Sequence, residues 1–130
     1  MSIDPMHTIP LTWLLCGAIF MMAAALLRYK PPRKINHLYG YRTPRSMRNQ
    51  EIWDFAQHQS ARLMMRSGLI LFLAGIAALF LPPFNTWVEL AIALTGVFWA
   101  AFHPVFIIER KLKEKEENMQ KPKVEKVEKD

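Results

Sequence analysis

Three long apolar blocks, 9–27, 63–81 and 87–108, divide the chain, and almost all of its charges lie between or after them. A soluble domain of 130 residues has no core large enough to bury blocks of that length, so lipid must solvate them. At about 1.5 Å per residue the first block reaches roughly 28 Å, close to the thickness of the hydrocarbon layer. Hydrophobic residues make up 52% of the chain and charged residues 22%, and this segregation lets both fractions be high at once. The expected fold is an all-α membrane protein with three transmembrane helices plus a cytoplasmic amphipathic helix. Residues 1–108 would form the three-span domain, and residues 109–130 a charged, disordered cytoplasmic tail.

Local signals set the expected boundaries. Thr8 can cap the first span, Pro10 suits its first turn, and Pro31-Pro32 stops it. Pro82-Pro83 ends the second span. The turn to the third is so short that the two must form an antiparallel hairpin. Thr86 and Glu89 have capping-box spacing at the start of span three. Between spans one and two, Ser46 or Asn49 can cap a helix whose apolar face carries Ile52, Trp53, Phe55 and Ala56. Asp54, His58, Arg62 and Arg66 fall on a polar stripe, with His58 expected to pair with Asp54 one turn away. The pattern reads as an amphipathic helix lying on the membrane surface and leading into span two. Gly68 with Gly75, and Gly96 with Ala100, give spans two and three small residues for close packing, or for a homo-oligomer.

All 17 Lys and Arg residues lie either between Arg28 and Arg66 or from Arg110 onward. The N-terminal flank and the second turn have none, so the positive-inside rule puts the N-terminus outside, and the long loop and C-terminus in the cytoplasm. The flank carries Asp4 and no positive n-region, so the first block reads as a retained helix rather than a cleaved signal. The net charge of +6 is then explained by topology and contact with anionic lipid headgroups, not by nucleic acid. Trp13, Trp87 and Tyr29, near span ends, fit interfacial belts.

Few residues invite chemistry. Cys16 is a lone thiol within the first span, with no ligand set around it. His7, His37, His58 and His103 sit in four separate regions, without metal-ligand spacing, and no cofactor or metal is expected. Glu89 and His103 are the intramembrane polar candidates. Glu89 reads first as a cap and second as a proton carrier. His103, beside Pro104, reads first as a helix-packing group and second as part of a proton relay. The proline should free a carbonyl near Ala100 and can kink the helix.

The dense polar cluster is the loop between the first two spans. Asn36, then Gly40-Tyr41-Arg42-Thr43, then Ser46, Asn49, Trp53 and Ala56-Gln57 occur at fixed spacing. Gly40 allows a turn or close approach, Arg42 is a fork-shaped donor for phosphate or carboxylate, and Trp53 can anchor a helix at headgroup level. Arg42 is expected to bridge the loop to a neighbouring helix or to a lipid phosphate. This cluster resembles the signature of the SdpI family of bacterial integral membrane proteins, which also lies between the first and second spans. The founding member of that family is an immunity protein, and this chain departs from it in being a single three-span unit. The resemblance implies a protein of the bacterial cytoplasmic membrane that protects against a secreted, membrane-active peptide toxin, or relays a signal by binding a cytoplasmic partner. Two other classes compete. An oligomeric transporter or channel subunit would use Glu89 and His103, and a membrane enzyme would have to draw on the 36–53 loop, where no nucleophile–base pair of the usual kind is visible.

Overall fold

The computed structural model describes residues 8–129. The expectations for the N-terminal flank, including His7, lie outside the described residues. The chain folds into three helices, α1 (Thr8–Tyr29), α2 (Gln50–Ala78) and α3 (Thr86–Lys129), and no strand occurs among the described residues. All three are long and apolar enough to cross a membrane.

The membrane-length part of the bundle is held by close approach of backbones, because lipid tails offer helices no hydrophobic reason to associate. α1 packs mainly on α2. Their crossing is at Gly17 and Gly68, where a Cβ on Gly17 would sit 2.8 Å from the Gly68 carbonyl oxygen and 2.8 Å from the Phe72 amide nitrogen. Gly68 and Gly75, expected to permit close packing or a homo-oligomer, face α1, against Met21 and Leu14 respectively. Trp13, expected in an interfacial belt, lies inside the bundle. Its indole N–H donates to the Ala93 carbonyl of α3 at 3.0 Å, and its ring fills the space over Gly96. Trp87 and Tyr29, at 79% and 81% exposure, do face outward.

One segment runs as expected and one boundary moves. The 49–62 segment, expected to lead into the second span, does so without a break as the first part of α2. Its apolar face meets protein, with Ile52, Trp53 and Ala56 wholly buried. At the other end of the chain, α3 does not stop at Ile108 but continues through the charged segment to Lys129. Ile108 and Leu112 join Ile52, Ala56 and Leu63 in one core, with Tyr41, Phe55 and Met119 packed against it. Burying side chains such as Ile52 and Leu112 stabilises by roughly 1.5–3 kcal/mol each where water is the competing solvent. The loop and the C-terminal part of α3 therefore lie at the same end of the bundle. Ile9, Ala78 and Ala93 form a smaller cluster at the opposite end.

Candidate functional site

The 30–49 loop is folded by its own polar side chains. Asn36 Oδ1 accepts from the amides of Leu38 and Tyr39 at 2.9 and 3.0 Å, a turn made by a side chain. Gly40 follows with φ of +105°, a conformation that side chains resist, and an added Cβ would lie 2.7 Å from Gln57 Oε1. Gln57, only 1% exposed, reads the next residue with both ends of its amide. Its Oε1 accepts from the Tyr41 amide at 2.7 Å and its Nε2 donates to the Tyr41 carbonyl at 2.8 Å. Ser46, fully buried, accepts from the Thr43 amide at 2.8 Å, and Thr43 Oγ1 in turn accepts from the Ser46 amide at 3.2 Å. Asn49 is the N-cap of α2, accepting from the Ile52 amide at 2.9 Å.

Two of the expected roles change. Trp53 does not anchor at the headgroups. It is fully buried, and its indole N–H donates to the Pro32 carbonyl at 2.7 Å, holding the end of α1 against α2. Arg42 is exposed and donates within the loop, to the His37 carbonyl, rather than to a neighbouring helix.

The acceptor on a neighbouring helix exists, but other residues use it. Glu109 of α3 accepts from the Tyr41 hydroxyl at 2.8 Å and from the Thr43 hydroxyl at 2.7 Å, with Arg45 Nε 3.8 Å from its second oxygen. Two turns on, Glu116 meets Arg48 at 2.9 Å and Arg45 at 3.7 Å. Burial, and then the bond to Glu109 and its charge, push the Tyr41 phenol above its usual range. The motif thus ties α1, α2 and α3 together at the basic end of the bundle.

The intramembrane candidates are kept apart. Glu89 is buried near the start of α3. One carboxylate oxygen accepts from the Phe84 amide at 3.2 Å and the other has no partner among the described residues. The expected Thr86 cap is displaced by one residue, since Asn85 Oδ1 takes the Trp87 amide at 3.0 Å. His103 points away from the bundle and stacks on Trp99 of its own helix, ring centroids 4.8 Å apart. Fourteen helical residues, roughly 21 Å, separate the two along α3. His58 does not pair with the Asp54 carboxylate, which takes Gln50 Nε2 at 2.8 Å; its ring lies 3.3 Å from the Asp54 backbone carbonyl. Among the described residues no group of His, Cys, Asp and Glu could hold a metal ion.

The SdpI/YfhL protein family model matches residues 33–108, which is more than half of the chain and holds the whole loop motif. The chain belongs to the SdpI/YfhL protein family. It is 44% identical over 61 residues to "Uncharacterized protein YfhL" of Bacillus subtilis (strain 168), an alignment covering 47% of this chain and 56% of that relative. The chain thus spans little more than half the length of the curated relative it matches. No solved structure matches.

Within this SdpI/YfhL frame, sequence reasoning passed over Glu109 and Glu116, because they sit in a segment that reads as a uniformly charged tail. A signal was present: Ile108, Leu112 and Met119 recur at helical spacing through those charges.

Proposed function

We propose that the protein is a non-enzymatic immunity-type protein of the bacterial cytoplasmic membrane, which protects its cell by capturing a membrane-active peptide between α2 and α3. Membership of the SdpI/YfhL family supports the class. The observation that carries the mode of action is an apolar groove of about 480 Å³ along these two helices. Trp13 forms its floor, and Ile70, Ala74, Ile92 and Trp99 line it. The Thr95 hydroxyl at its edge is already bonded to the Ala91 carbonyl at 2.7 Å. A groove of this lining, open on a membrane-length face, suits an apolar helical segment arriving through lipid. The motif loop does not line the groove; its polar groups are engaged in folding the bundle's basic end.

The test is survival and membrane potential in cells challenged with a panel of membrane-depolarising peptide toxins. Protection should disappear in Ala74→Trp, which fills the groove, at equal membrane abundance. Absence of protection against every toxin, with or without the substitution, would sink the reading. A second role, relaying a signal to a protein partner at the cytoplasmic face, is favoured by the exposed Arg33 and Lys34, which have no acidic partner among the described residues. Crosslinking from Lys34 in intact cells tests it. The transporter reading draws no support from Glu89 and His103, which do not share a path.

A further inference from the structure

A second hollow, of about 310 Å³, opens on the other side of α2, where α1 ends. Leu27 and Ala61 form its buried apolar floor, and Arg28, His58 and Arg62 stand around it with Pro31. The distribution of acids sets this hollow apart. On the α3 side of the bundle, Arg45, Arg48 and Lys115 are met by Glu109, Glu116 and Glu51. On the α1 side, neither Arg28 nor Arg62 has a carboxylate within ion-pair distance among the described residues. Asp54 lines the adjoining hollow, one turn back along α2, and its carboxylate is engaged by Gln50. Two guanidiniums on two different helices thus flank one concave space with no internal anion.

The depth of the hollow fixes the kind of anion. α1 is apolar up to Leu27, and Arg28 is the first charge after a stretch of roughly 28 Å. On α2, Arg62 lies one turn further from the apolar segment than Arg66. The hollow therefore sits at the edge of the hydrocarbon layer, where phospholipid phosphates lie. We infer that it is a binding site for the phosphate headgroup of an anionic phospholipid. Arg28 and Arg62 grip phosphate oxygens from two sides, His58 offers a third donor, and the acyl chains run up the apolar faces of α1 and α2. The site does not depend on the toxin-capture reading, and the motif residue Arg42 takes no part in it.

The test uses the full chain, purified in detergent and examined by native mass spectrometry with added phosphatidylglycerol, cardiolipin or phosphatidylcholine. The wild type should retain an anionic lipid in preference to phosphatidylcholine. Arg28→Gln/Arg62→Gln should weaken that retention by on the order of tenfold or more. Arg33→Gln/Lys34→Gln removes the same charge from the same end and should change it by less than about twofold. All four side chains are exposed, so the helical content of the variants should match the wild type. Equal losses in the two double variants would overturn the site in favour of diffuse charge attraction. Displacement of the lipid by inorganic phosphate alone would overturn the assignment to a lipid, leaving a free-phosphate site.

Discussion

At the scale of single residues, Gln57 carries the heaviest structural duty in the motif. Its amide meets both polar backbone groups of Tyr41, the N–H alone and the carbonyl together with a weaker 3.2 Å bond from Ser46. Gln57→Ala should therefore lower stability by about 1–3 kcal/mol, the cost of orphaning buried backbone groups. A fall in the thermal unfolding midpoint in detergent would show it, and an unchanged midpoint would mean that water satisfies those groups. Tyr41 makes a second prediction. Its phenol is held neutral above the ordinary range by burial and by Glu109, so the unfolded chain releases that proton first as pH rises. The stabilisation is complete below the ordinary phenol pKa and is lost above it. Subtracting the alkaline absorbance titration of Tyr41→Phe from that of wild type should show a tyrosinate signal delayed to more alkaline pH. These roles were only half legible in the sequence. The cluster of residue types was plain, but Tyr41 depends on partners 16 and 68 residues away, and no local pattern names them.

At the scale of elements, the three spans were legible because an apolar block of membrane length has no other stable use. The helix leading into span two was legible, but what covers its apolar face was not. An amphipathic face reads the same whether lipid headgroups or protein will cover it, and here the cover is the loop and α3. In the charged tail composition hides periodicity: Leu112 and Met119 are too few to lift its average, yet they fall on the face that packs on the bundle. The α1–α2 crossing gives the prediction that belongs to this scale. Both atoms nearest a Cβ on Gly17 are backbone and cannot swing aside. Gly17→Leu should force the helices apart at a cost of about 1–3 kcal/mol. Ile19→Leu, on the exposed face of the same helix, should leave the unfolding midpoint unmoved.

For the whole molecule, the fold and the charge distribution constrain one another. Glu109 and Glu116 hold the first loop to the extension of α3, so loop and extension must share one side of the membrane. Only two orientations then remain, and basic residues choose between them. All 17 lie at or near that shared end, whereas the turn from Leu79 to Asn85 has none. Translocating the basic end would drag every one of these cations across the bilayer, while the opposite orientation moves only the N-terminal flank and a short turn, neither of which carries Lys or Arg. Cysteine labelling in a Cys16→Ala background reads this directly. Asn85→Cys should react with a membrane-impermeant reagent in intact cells, and Lys34→Cys and Lys126→Cys only after the membrane is opened. Reaction of Lys34→Cys alone from outside would separate loop from extension and contradict the Glu109 clamp. Reaction of both from outside would leave the fold standing and reverse the orientation, moving the Arg28–Arg62 hollow to the outer leaflet.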